Sequence, residues 1–170
     1  MPMSLQLLSF SNRLLFFLLW MVAISVLTGA YIFEYMGYKP CQLCLYGRIV
    51  WWAIIAMGVG CLLFKNQKMA FYCLSVSVLM LFANAGFSLF HMGVEYHWWE
   101  GLKSCNQNNL SGNSDLLLNN LFEKPVPCDK AAVRIFSLSL AAYNAIISLA
   151  VAVFCLYMLR KNKKKGGYGE

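Results

Sequence analysis

Four apolar runs, each long enough to cross a bilayer as a helix, dominate this 170-residue sequence. A hydrocarbon core of about 30 Å takes roughly 20 helical residues. Runs of that length extend from Leu14 to Phe33, from about Leu45 to Phe64, from Met69 to about His91 and from about Phe136 to Leu159. Lipid offers backbone amides no partner, so spanning segments are helices or closed-barrel strands, and these are too long for barrel strands. The expected fold is therefore an all-α membrane protein, a four-transmembrane-helix bundle forming a single integral membrane domain over residues 1–170. Composition agrees: 60% of residues are hydrophobic and 12% charged, against about 45–50% and about 25% in a soluble domain. Too little polar surface remains to wrap a soluble enzyme. A disordered tail and a nucleic-acid module are excluded on the same ground, despite a net charge of +7.

The connections are unequal. Lys65 to Lys68 make a tight basic hairpin, Glu34 to about Cys44 a short link, and about Met92 to Ile135 a long segment with no spanning run. A loop that long in a compact protein is usually functional or disordered. The positive-inside rule orients the chain with both termini cytoplasmic. Eight of its 14 Lys and Arg then lie inside, including the tail at 160–170, and six of its seven acids outside. The basic tail reads as a topology anchor rather than a nucleic-acid site. In the outer loop Trp98 and Trp99 are expected as interface anchors, and Leu116, Leu117, Leu118, Leu121 and Phe122 as one face of a short interfacial helix. Leu5, Leu7, Leu8 and Phe10 suggest a second one on the cytoplasmic side.

This topology sorts the seven cysteines. Cys41, Cys44, Cys105 and Cys128 fall at the outer side, while Cys61, Cys73 and Cys155 lie near the inner helix ends and read as small packing residues with inert thiols. Cys41-Gln42-Leu43-Cys44 is a C-x-x-C opening a helix after Pro40. Its thiols share one helical face within bridging reach, and the positive helix N-terminus favours thiolate. Leu45 in place of His after the second cysteine excludes a c-type haem. A zinc site would need Cys105 and Cys128 as further ligands, and no metal is expected. Cys105 and Cys128 could be a structural staple, worth roughly 3.5 kcal/mol by loop closure. Alternatively, a loop pair and a tip pair on one side of a small protein are the parts for thiol–disulfide exchange, passing two electrons from loop to tip.

Electrons reaching a membrane-embedded dithiol need a sink in the membrane, and Arg48 suggests a quinone. It lies one turn deeper than Cys44 on the same face, where an ionisable group is costly unless it snorkels or is paired. Its guanidinium could donate hydrogen bonds to a quinone carbonyl and lower the pKa of Cys44. His91, at the outer end of the third run, could supply a second hydrogen bond or a proton.

Pro40 through Arg48 (PCQLCLYGR), the four-helix layout, the second cysteine pair, and Cys128-Asp129-Lys130 followed by Leu138 to Asn144 (LSLAAYN) resemble the bacterial disulfide-bond-formation protein B family. The resemblance runs from the first helix to Asn144. It implies an inner-membrane thiol oxidase that reoxidises a periplasmic thioredoxin-fold dithiol protein (DsbA-like) and passes the electrons to ubiquinone or menaquinone. By that resemblance the partner's thiolate attacks Cys105, the freed Cys128 attacks Cys41, and Cys44 leaves as a thiolate facing a quinone oriented by Arg48. Val133 and Ser137 stand where such proteins often carry Trp and Gly. Two other readings of the same parts are a quinone reductase resembling the vitamin K epoxide reductase family and a non-catalytic tetraspanning scaffold with structural disulfides. The C-x-x-C at the start of the second helix favours the oxidase.

Overall fold

The computed structural model describes residues 12–63, 67–101 and 127–164. Cys105, both expected interfacial helices and the end of the tail, 165–170, lie outside them. Four helices form the bundle: α1 (Asn12–Tyr35), α2 (Gln42–Leu63), α3 (Gln67–Glu95) and α4 (Leu140–Lys164). All four are long and apolar enough to cross a membrane.

Their inward faces follow helical spacing but not the usual soluble chemistry. On α3 the buried stripe runs Ala70, Leu74, Ser77, Leu81, Asn84, Ser88, His91 and Glu95, so it grows more polar toward one end. Large apolar side chains such as Ile49, Tyr72 and Leu79 point outward, which water would penalise and lipid accepts. The closest helix pair is α3 with α4. There Ala145, Ser148 and Ala152 on α4 are buried, the small-residue interface that lets helices approach in lipid. Asn84 Nδ2 donates to Ser148 Oγ across that seam at 3.0 Å.

Helix α1 is locked to α2 by Trp20, whose Nε1 donates to the Ile55 carbonyl at 3.1 Å. The ring lies over Gly58, where a Cβ would overlap it. Gly58→Ala should therefore cost about 1–3 kcal/mol through overpacking, read as a lowered midpoint of thermal unfolding in detergent. An unchanged midpoint would mean that Trp20 moves aside freely.

The outer ends are shaped by explicit caps. After α1, Gly37 at φ 97° closes a Schellman turn: Tyr38 N donates to Phe33 O at 3.1 Å and Gly37 N to Glu34 O at 3.0 Å. The Phe33 and Tyr38 rings meet edge to face, the apolar contact that accompanies this motif. After α3 the same turn recurs with His97 at φ 59° in the position glycine usually takes, Trp98 N donating to Gly93 O at 2.8 Å. Trp98 is exposed; Trp99 folds back to stack on Phe90 and donate to its carbonyl at 2.8 Å.

Two helix limits differ from the hydropathy reading. Helix α3 continues one turn beyond His91, to Glu95. Helix α4 starts at Leu140 rather than near Phe136, because β1 (Arg134–Ile135) and β2 (Leu138–Ser139) pair as an antiparallel hairpin. Phe136 and Ser137 form its two-residue turn with φ of 48° and 67°, a conformation that favours Asn-Gly. Three contacts hold it there. Tyr143 donates to Ile135 O at 3.1 Å, Tyr96 donates to Ser137 O at 3.1 Å, and the Arg134 guanidinium lies over the Tyr96 ring, 5.5 Å from its centroid. Ser139 then caps α4, its Oγ accepting from Ala142 N at 3.2 Å.

Candidate functional site

One end of the bundle collects five of the six residues singled out in the sequence; the sixth, Cys105, lies outside the described residues. Cys41 is the N-cap of α2. Its Sγ accepts from the Cys44 backbone N–H at 3.3 Å, as a serine hydroxyl would in that position. The cap brings Cys41 Sγ within 3.2 Å of Cys44 Sγ, both as free thiols. His91, one face of α3, reaches the same sulfur with Nε2 at 3.3 Å. Cys41, one residue outside the spanning helix, has its thiol held below the ordinary thiol value. The hydrogen bond with Cys44 does most of this and His91 adds to it, against the opposing effect of burial. A depressed pKa keeps thiolate as pH falls. The reduced protein should therefore alkylate at Cys41 with a pH midpoint below the roughly 8.5 of a free thiol; a midpoint at or above that value would contradict the geometry.

The two tip thiols differ in what else they reach. Cys41 and Cys128 are both buried in one cluster with Leu43 and Val94, against which Cys44, Phe87 and Phe90 pack. Cys128 is disulfide-bonded. Cys44, by contrast, lines a cavity of about 480 Å³ between the helices, together with Arg48, Trp51, Phe87, His91 and Asn144.

Arg48 is paired. One guanidinium nitrogen donates to Glu34 Oε2 at 2.6 Å, the other to the Ala30 carbonyl at 3.5 Å, and the group lies 5.0 Å over the Tyr31 ring. The Schellman turn after α1 sets Glu34 in place for this pair. Of five N–H donors on a guanidinium, two are used in these bonds, and the residue still lines the cavity. Beneath it, Trp51 Nε1 donates to Asn144 Oδ1 at 2.9 Å and Asn144 Nδ2 to Ser88 Oγ at 2.7 Å, tying α2, α4 and α3 together. Gly47 allows this approach, since a Cβ there would sit 3.3 Å from Asn144 Nδ2.

Sequence reasoning missed Glu34 and Glu95 as members of the site, counting both only as outer acids. Glu95 is buried beside His91, with Oε1 3.5 Å from Nε2. The i,i+4 spacing of His91 and Glu95 was a readable signal for that pair. Nothing in the sequence signalled that Glu34 meets Arg48 across a turn.

A cavity of this size, mostly apolar with a few convergent polar groups, suits a flat ring bearing carbonyls. Arg48, His91 and Asn144 are among the lining groups able to hydrogen-bond to it.

Comparison with known proteins adds the following. The family described as disulfide bond formation protein DsbB matches residues 12–158. An uncharacterized protein of Rickettsia prowazekii (strain Madrid E) is 25% identical over 150 residues, covering 84% of this chain and 86% of the relative. No solved structure matches.

Proposed function

The chain belongs to the DsbB family of disulfide-bond-formation membrane proteins, and from that premise we propose that it is a thiol:quinone oxidoreductase that reoxidises a periplasmic thioredoxin-fold dithiol protein. The observation that carries this reading is the division of labour at the tip. Cys41 packs with the disulfide-bonded Cys128, and Cys44 lines the cavity.

The partner's thiolate attacks Cys105, and Cys128 leaves as a thiolate. Cys128 then attacks Cys41 of the oxidised tip pair, and Cys44 leaves as a thiolate at the cavity wall. Loss of the mixed disulfide to the partner's second thiol releases the oxidised partner and Cys105 as a thiolate, which attacks Cys128, restores the Cys105–Cys128 disulfide and releases Cys41 as a thiolate, so each exchange forms one disulfide and breaks one. The buried cluster excludes water from the second transfer. A bound ubiquinone or menaquinone supplies the two-electron sink that returns the tip pair to a disulfide. Toward that group, Arg48 orients a carbonyl and stabilises developing negative charge, while His91 donates or accepts a proton. The chain sits in the bacterial inner membrane with both termini cytoplasmic and both cysteine pairs periplasmic, exchanging quinone with the lipid pool.

Thiol alkylation in native membranes tests this. After reduction and then addition of a soluble quinone, four thiols should become unreactive while Cys61, Cys73 and Cys155 still alkylate on denaturation. A thiol count that quinone leaves unchanged would instead fit a scaffold.

A further inference from the structure

The last residue of α3 is a poor place for a carboxylate. Glu95 lies at a helix C-terminus, where the backbone's partial negative charge disfavours an anion. It is 5% exposed, and its Oε2 is unpartnered among the described residues. Leaving a buried polar atom unsatisfied costs free energy. What the position offers in return is reach. Glu95 Oε1 lies 3.5 Å from His91 Nε2, and the same nitrogen is 3.3 Å from Cys41 Sγ. One imidazole nitrogen thus stands between the thiol and the carboxylate. From the hairpin side Ser139, the buried cap of α4, lies beside Glu95.

We propose that Glu95 is a positioning residue for proton transfer at Cys41: its carboxylate, beside the ring, stabilises the imidazolium formed when His91 Nε2 takes the thiol proton. The step moves a proton only. The Sγ–H bond breaks, an Nε2–H bond forms, and the electron pair stays on sulfur as a thiolate beside an imidazolium–carboxylate pair. The inference rests on the proposed function, which requires Cys41 to leave as a thiolate when Cys105 resolves its bond to Cys128. The titratable groups around Glu95 are His91 on its own helix, Cys41 and Cys44 at the start of α2, and Arg134 on β1.

The chain has two histidines, so ring-labelled histidine gives two NMR titrations in the reduced, detergent-solubilised protein, with exposed His97 as internal reference. Glu95→Gln keeps the shape and removes the charge. It should lower the His91 midpoint by about one pH unit or more, the size expected of an opposite charge at this range, and leave His97 in place. An unmoved His91 midpoint would overturn the proposal. Cys41→Ala gives a second arm. With the thiol gone, adding Glu95→Gln should still move the His91 midpoint, because the carboxylate acts on the ring directly; no movement in that background would also overturn it. Neither arm uses quinone or a dithiol partner. The titrations can therefore fail while turnover stands, and turnover can fail while they hold.

Discussion

Cys44→Ser should reduce quinone-dependent oxidation of a dithiol partner by at least about 10³-fold, the scale of losing a covalent participant. The reason is positional as well as chemical. Cys44 is the tip thiol that lines the cavity, whereas Cys41 packs with Cys128. Serine preserves the helix and the cap but cannot form the tip disulfide. The variant should still exchange with the dithiol partner through Cys105 and Cys128, so a mixed disulfide should accumulate rather than turn over. Serine at Cys61, Cys73 or Cys155, all free thiols away from this end of the bundle, should leave the rate close to wild type. Equal rates for Cys44→Ser and wild type would remove Cys44 from the electron route.

Arg48→Ala should lower kcat/KM for quinone by about 10- to 100-fold. Hydrogen bonds from a charged donor contribute about 1.5–3 kcal/mol, and each 1.4 kcal/mol is about tenfold. Thiol–disulfide exchange at Cys105–Cys128 should not change. The Glu34 pair sharpens this expectation: with one guanidinium nitrogen bonded to the carboxylate at 2.6 Å, the fork is held in one orientation at the cavity wall. Arg48→Lys keeps charge but loses the fork and should fall between wild type and alanine. Glu34→Gln keeps the guanidinium and frees its orientation, so its loss should be smaller than that of Arg48→Ala. Unchanged quinone kinetics in Arg48→Ala would confine Arg48 to pairing α2 with α1.

The four spans were legible because lipid demands length and apolarity, and both are local properties of the chain. The limits of α3 and α4 were not, because tertiary contacts set them. Phe136 and Ser137 have no turn-forming chemistry and are held in a tight turn by Tyr96, Tyr143 and Arg134. Cysteine spacing and depth made the tip pair readable. The separation of its two thiols into a cavity side and a Cys128 side was not, because it depends on how the hairpin region meets α2 and α3. Arg48 was readable as an expensive intramembrane charge. Its partner Glu34 was not, since the Schellman turn at Gly37 that brings the two together has no signature linking positions 14 residues apart.

The central claim is that this chain couples dithiol oxidation to quinone reduction. The most direct measurement mixes the purified protein in detergent with a reduced thioredoxin-fold dithiol protein and a soluble quinone, and follows quinone absorbance alongside free thiols. The account predicts catalytic loss of quinone absorbance, with one quinone reduced for each disulfide formed in the partner. No loss of absorbance beyond the rate without the protein would contradict it.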